Sequence, residues 1–437
     1  MIEQFNPWWK GRDFIEEDED YSKWKESEVR WIPEAIEKIS LEPFSLNFVF
    51  GPRQVGKTTL LKLVIKKLLD SGVDPKAIFY VRCDYLSDYK ELIEVLDEYM
   101  ELRKIEGIEG SYFLLDEITF PKEWFRAIKL YIDMGKFKRD VLILTGSLSM
   151  YLKGEVETFP GRRGRGRDII MYPLSFREFV KVAAPELYSR IPKIKDVAEI
   201  EKCLKLRPWK EELYDLFVLY LKSGGFPRAV KDILKKGKVS EETYDTYLSW
   251  IRGDLIRLGK SEGVAKRIIK AILERVPSPV GWNTIAKEVE VGSHKTVFSY
   301  VEFFEKSFVL EVLQYFNPNT LEPEFKKEKK IHFMDPFLYH LFSRWCLIEG
   351  PGEDKIVESV VASHLARKYE VGYWRSGGEV DVVTKDGIGF EVKWGRNAKP
   401  LRVKVGKIKN IVTLSKEDFF TSPLMIPVYL FLACFDV

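Results

Sequence analysis

The chain is poor in cysteine and glutamine, and it has no long apolar run. Its 437 residues hold four cysteines, Cys83, Cys203, Cys346 and Cys434, scattered with no Cys-x-x-Cys pair. That spacing excludes a disulfide framework and a Cys/His zinc cluster, and it reads as reduced, mostly buried thiols of a cytoplasmic protein. Glutamine occurs only at Gln4, Gln54 and Gln314 while Lys and Glu abound, a bias that points to a thermophilic source. No stretch approaches about 18 apolar residues, so no membrane span is expected. The acidic, aromatic N-terminus does not read as a signal peptide, so none is expected there. Charge of one sign is also lacking. The net charge is +3, so no global basic field demands nucleic acid, and any such contact must come from local patches. What is present, 45% hydrophobic and 31% charged residues, describes a soluble, well-packed chain long enough for two to four domains.

Residues 51–58 read Gly-Pro-Arg-Gln-Val-Gly-Lys-Thr, which fits the phosphate-loop pattern G-x-x-x-x-G-K-[ST] in full. Asn47-Phe-Val-Phe50 before it reads as a buried strand. Thr59–Leu69 after it has helical apolar spacing. Gly51 and Gly56 allow a tight turn that aims N–H groups at phosphate oxygens, and the helix N-terminus adds its dipole. Gly51, Pro52, Arg53, Gln54, Val55, Gly56, Lys57, Thr58 and Thr59 are therefore the expected ATP contacts. Lys57 is expected to reach the β- and γ-phosphates, and the Thr58 hydroxyl to bind Mg²⁺.

Ser111-Tyr-Phe-Leu-Leu-Asp-Glu117 is an apolar run ending in two carboxylates. Such a strand is expected beside the phosphate loop, with Asp116 holding Mg²⁺ and Glu117 polarising the attacking water as general base. A third strand, Val141–Leu144, runs into Thr145-Gly-Ser147. Ser147 is the first candidate to contact the γ-phosphate or position water, with Thr145 second; a plain strand-end turn competes with both.

The segment 1–40 reads as an aromatic, acidic arm packing on the ATPase core, and 41–180 as that core, with alternating strands and helices implying a parallel sheet. Gly161-Arg-Arg-Gly-Arg-Gly-Arg167 is the densest basic run. It reads as an arginine finger, with Arg162 and Arg163 the candidates, or as a contact to nucleic-acid phosphates, or as a solvated loop. Residues 181–258 read as a helical lid turning at Ser223-Gly-Gly-Phe-Pro-Arg228, where Arg228 is either a lid residue near the nucleotide or a surface arginine. Residues 259–320 read as a winged helix, with helices at 266–276, 282–289 and 294–306 and a wing strand at 308–316. His294, Lys295 and Ser299 could then face a DNA groove, or the module could serve as a joint. The apolar tail 425–434 reads as a last sheet strand.

Residues 321–437 carry a second constellation. Asp381 lies on one predicted strand and Glu391 and Lys393 on the next, two apart and so on one face. This is the Asp…Glu-x-Lys arrangement of metal-dependent nucleases. Asp381 and Glu391 would bind Mg²⁺ or Mn²⁺, Lys393 would orient water, and Glu358 on a preceding helix is a third acidic group. An ordinary amphipathic hairpin explains the same alternation without a site.

These pieces together resemble a prokaryotic, archaeal-type ATPase family that joins an AAA-type P-loop domain to a C-terminal domain of unresolved function. The matching residues are Gly51–Thr59, Leu114–Glu117, Leu144–Ser147, Pro173–Phe179, Gly224-Gly-Phe-Pro227, Phe333-Met-Asp-Pro336, Glu379–Asp381 and Glu391–Lys393. The resemblance implies an α/β protein: a P-loop parallel sheet with helical lid, a winged helix, and a restriction-endonuclease-like domain. The site is also similar to that of archaeal Holliday-junction resolvases, whose acidic and lysine positions correspond to Glu358, Asp381, Glu391 and Lys393. The expectation is an ATPase using ATP and Mg²⁺ and acting on DNA, with nuclease activity open and a homo-oligomer needed only if an arginine finger acts in trans. A nucleotide-dependent switch that binds a partner without cutting is the alternative.

Overall fold

The computed structural model describes residues 2–146, 159–402 and 405–437. The chain divides into two compact units, Met1–Tyr172 and Pro173–Val437. The first is built on five strands: β1 (Ser45–Phe50), β2 (Ile78–Arg82), β3 (Tyr112–Asp116), β4 (Val141–Gly146) and β5 (Asp168–Ile170). They are all parallel, in the order β2-β3-β4-β1-β5. A parallel sheet needs crossovers, and the helices Lys57–Asp70, Tyr89–Ile105 and Trp124–Asp133 supply them. Both faces are thereby covered, so the strands are apolar throughout rather than alternating. In β1, Leu46, Phe48 and Phe50 enter one core with Phe79, Phe113 and Trp124, while Val49 enters the other with Leu61, Tyr80 and Ile143. β4 lies between β3 and β1 in the sheet.

The N-terminal arm covers the open edge of β2. Trp8 and Trp9 both donate their indole N–H to the Ile78 carbonyl (3.0 and 2.9 Å). The Asn6 amide accepts from the Tyr80 N–H and donates to the Tyr80 carbonyl (2.7 and 2.9 Å). Edge groups that would otherwise recruit another strand are thus paired within the chain. Trp8 is fully buried here, and Trp9 stacks on Phe79 and Tyr99, so these rings serve packing.

The second unit places helices before an eight-stranded mixed sheet. Its strands are β6 (Leu310–Tyr315), β7 (Lys329–Phe333), β8 (Val371–Arg375), β9 (Glu379–Thr384), β10 (Ile388–Lys393), β11 (Lys409–Ser415), β12 (Phe420–Thr421) and β13 (Leu424–Pro427). Their order is β12-β13-β11-β10-β9-β8-β6-β7. The helix Glu353–Ala366 is buried from Ile356 to Leu365 and packs on β7, β9 and β10. Helices form at Glu262–Arg275, Trp282–Glu288 and His294–Lys306. The strand expected as a free wing is instead β6, which pairs antiparallel with β7 and parallel with β8 inside the large sheet. The apolar tail also differs. Only Leu424–Pro427 is strand, and Val428–Cys434 is a buried helix. A run that is apolar on every side carries no periodicity to tell the two apart, and Pro427 ends the strand.

Two short motifs far apart in sequence meet in this unit. Asp335 accepts from the Phe337 N–H, capping the helix Pro336–Cys346, and from the Gly225 N–H (both 2.9 Å). Gly224 has φ +59°, and a Cβ there would collide with the Asp335 carboxylate.

Candidate functional site

At the carboxyl end of β1 the chain turns through Gly51 (φ +159°), Gln54 (φ +59°) and Gly56 (φ +99°) into the helix Lys57–Asp70. A Cβ on Gly51 would strike the Met171 carbonyl, so the tight turn requires glycine. Lys57 is 4% exposed, and its ammonium donates to the Gly51 and Pro52 carbonyls (both 3.0 Å). The loop therefore holds its lysine over the phosphate cradle.

Asp116 sits at the end of β3, 2% exposed, in the company of three hydroxyls. Thr58 donates to its Oδ2 at 2.7 Å and Tyr80 donates to the same oxygen at 3.1 Å. Thr145, at the end of β4, donates to Oδ1. The inserted strand makes this contact. Thr145 Oγ1 also accepts the Glu117 N–H (3.0 Å), and its carbonyl accepts the Ile118 N–H (2.9 Å). The turn places Glu117 at φ +51° with Oε2 buried and without a hydrogen-bond partner. A buried carboxylate oxygen left unpaired at a strand end is what a general base awaiting water requires.

Tyr80 and Thr145 are the residues that motif reading undervalued, since each is recruited only by strand order. Tyr80 is held in turn from the N-terminal arm. Lys62, 2% exposed, pairs with Asp18 at 2.8 Å and lies 3.1 Å over the Tyr80 ring. Burial pushes the Lys62 pKa down against that pairing, and burial followed by the Asp116 charge holds the Tyr80 hydroxyl well above its usual value.

The donor set fits Mg²⁺. Thr58 and Asp116 offer a hydroxyl and a carboxylate at the edge of the cradle, all neutral or anionic, with no cation of the chain bonded to Asp116 among the described residues. Ser147 lies outside the described residues. Arg162 and Arg163 are not brought to the phosphate loop. Leu46, at the start of β1, donates its N–H to the Arg163 carbonyl (2.9 Å), so the basic loop lies at the opposite end of that strand. Arg162 pairs with Asp133 at 2.8 Å, and Arg163 pairs with Asp168 while its guanidinium lies 4.4 Å from the Phe48 ring. Arg228 pairs with Glu242.

In the second unit, Glu358, Asp381, Glu391 and Lys393 do come together. β9 and β10 pair antiparallel with Phe390 opposite Val382, so the next residues, Glu391 and Asp381, face each other. Asp381 Oδ2 accepts the Val392 N–H (2.9 Å), and Lys393 pairs with Glu391. The residue not foreseen is Lys330 on β7. Its ammonium lies 2.8 Å from Glu358, 2.6 Å from Glu379 and 3.0 Å from Asp381, with its side chain 1% exposed. Burial, then the Asp381 charge, pushes the Glu358 carboxyl up to about 8 and the Glu391 carboxyl up to about 7. Burial opposes the charge on Lys330, yet the three carboxylates hold its pKa above the usual lysine value. Among the described residues, no group of three His, Cys, Asp or Glu side chains has metal-holding geometry. The metal set expected from sequence, Glu358, Asp381 and Glu391, therefore does not fit a divalent ion as arranged: an ammonium already bonds Glu358 and Asp381.

Comparison with known proteins fits this division. Residues 44–180 match the family described as AAA domain, and residues 214–345 match a domain of unknown function, DUF8612. The first match spans the five-stranded parallel sheet and its phosphate loop, which have the P-loop ATPase fold. A Haemophilus influenzae protein described as uncharacterized is 26% identical over 281 residues, 60% of this chain and 61% of that protein. An uncharacterized ATP-binding protein of Methanocaldococcus jannaschii is 34% identical over 100 residues, 22% of this chain and 26% of that protein. The chain thus matches less than two thirds of the length of either relative. Aeropyrum pernix ORC2, in ADPNP–ADP complexes, covers 72% of this chain and 96% of its own at 11% identity and a TM-score of 0.42. A Thermotoga maritima RuvB variant covers 69% and 89% at 18% identity and a TM-score of 0.30. Both are loose overall resemblances. Among the described residues, no helix is long and apolar enough to cross a membrane.

Proposed function

We propose that the chain is a Mg²⁺-dependent ATPase of the cytoplasm that acts on DNA. The observation that carries the ATPase reading is the unpartnered Glu117 oxygen one residue past the Thr58–Asp116 pair. The similarity to a Methanocaldococcus jannaschii protein described as ATP-binding supports it. In this reading the loop N–H groups and Lys57 bind the ATP phosphates, Thr58 and Asp116 hold Mg²⁺, and Glu117 takes the proton of the attacking water. Bound Mg²⁺ would supply charge neutralisation on the phosphates. Thr145 and Tyr80 fix the Asp116 carboxylate. Arg162 and Arg163 lie away from the chain's own phosphate loop, so a finger role for either would require a neighbouring copy in a homo-oligomer. DNA as partner is supported by the exposed start of the helix His294–Lys306, where His294 and Lys295 face solvent; Ser299 is engaged by Lys260 at 2.8 Å. Hydrolysis measured with Lys57→Ala tests the site: lost turnover upholds it, and undiminished turnover removes it. Salt-sensitive DNA binding tests the partner.

A second reading is favoured by one observation, the buried Lys330 among the carboxylates. In it the second unit binds a partner without cutting, and the nucleotide state switches that binding. Cleavage of plasmid or branched DNA that Asp381→Ala abolishes would return the nuclease reading; no cleavage with intact ATPase supports the switch.

A further inference from the structure

We infer that Lys330 takes the place that a divalent cation would occupy in a nuclease-like centre, so that the second unit holds its carboxylate cluster together without metal. The ammonium donates hydrogen bonds to Glu358 at 2.8 Å and Asp381 at 3.0 Å, and it is ion-paired with Glu379 at 2.6 Å. Mg²⁺ needs the same oxygens at roughly 2.0–2.1 Å and in near-octahedral array. The ammonium and the ion cannot share them, because the distances overlap and the charges repel. Moving Lys330 aside is opposed by its surroundings. It belongs to a strand buried along its whole length, its side chain is 1% exposed, and the buried helix Glu353–Ala366 packs on that strand. Lys393 adds a second cation on Glu391 at the rim. Lys330 thus ties Glu358, Glu379 and Asp381 together, while Lys393 pairs with Glu391, whose other oxygen, Oε2, is buried without a hydrogen-bond partner.

The inference goes beyond the proposed ATPase and does not depend on it. It implies that the feature separating this centre from a metal site is the strand β7 lysine, and that deleting the ammonium exposes a cation site latent in the carboxylates.

The test is Mn²⁺ binding to the nucleotide-free full chain, read by electron paramagnetic resonance. Thr58→Ala serves as the control for the phosphate-loop site. The wild type is expected to bind no ion that is lost on Asp381→Asn or Glu391→Gln. Lys330→Met is expected to gain one Mn²⁺ per chain, and that ion is expected to disappear in Lys330→Met with Asp381→Asn. An Asp381- or Glu391-dependent ion in the wild type overturns the inference. So does a folded Lys330→Met chain that gains none. If Lys330→Met does not fold, the wild-type titration decides alone, by the same criterion.

Discussion

The two acidic centres of this chain differ in the company their carboxylates keep. Asp116 is bonded by three hydroxyls, from Thr58, Tyr80 and Thr145. Asp381 and Glu358 are bonded by one buried ammonium. Hydroxyls orient a carboxylate and leave its charge unspent. An ammonium orients it and neutralises it. The first arrangement is ready for a cation and the second already contains one. Residue types alone therefore do not define a metal site; the charge of the groups holding the acids decides whether an ion has anything left to neutralise.

The largest expected effect lies at the first centre. Glu117→Gln keeps the shape and removes the base, so ATP turnover should fall about 10²–10⁴-fold while ATP still binds. Steady-state hydrolysis beside a nucleotide-binding titration checks this, and turnover within a factor of about two of wild type would leave Glu117 without its role.

At the second centre the dominant effect should be on stability. Lys330→Met leaves two buried carboxylates, Glu358 and Asp381, and the partly exposed Glu379 without their cation, a loss of about 3–5 kcal/mol. Thermal unfolding should show a clear drop in Tm, and added Mn²⁺ should recover part of it. A variant as stable as wild type without metal would mean that the ammonium is not what holds the cluster.

Asp335 offers a third kind of company, two backbone N–H groups. Burial pushes its carboxyl up from 3.8 to about 7 despite both bonds. A pKa raised on folding means that the folded state holds the proton more tightly. The stability linked to it is complete below the unfolded value, and it is lost as pH rises through about 7. Wild type should therefore be more stable near pH 5 than near pH 8 by more than Asp335→Asn is, in unfolding curves taken at each pH. Glu305 and Glu311, both pushed up to about 7 by burial, contribute the same slope to both chains, so the difference between chains isolates Asp335.

The smallest expected effect sharpens the contrast. Tyr80→Phe removes one of the hydroxyls on Asp116, worth about 1 kcal/mol, and should weaken the apparent Mg²⁺ dependence of hydrolysis several-fold while leaving Tm nearly unchanged. An equal loss of Tm would mean that Tyr80 serves the fold rather than the site.

The phosphate loop and the Asp116-Glu117 pair were legible because their chemistry is local: eight consecutive residues, and a strand with its last two side chains. Thr145 was a second choice and Tyr80 was not seen, because their meeting with Asp116 depends on β4 and β2 flanking β3. In the second unit Asp381, Glu391 and Lys393 were legible from strand alternation and Glu358 from the preceding helix, and the structure does bring the four together. Lys330 was hidden in Lys326-Lys-Glu-Lys-Lys330, a run that reads as a solvated charged turn, and only the pairing of β7 with β6 turns it inward. Arg162 and Arg163 were drawn to the nucleotide by composition alone. Their backbone runs along the start of β1, where no nucleotide phosphate of the same loop can be.

The central claim is that one of these centres takes a divalent ion and the other does not. Its most direct measurement is the Mn²⁺ stoichiometry of the full chain with a non-hydrolysable ATP analogue. The account predicts one ion per chain, lost on Asp116→Asn and kept on Asp381→Asn. Two ions per chain, with the second lost on Asp381→Asn, would contradict it.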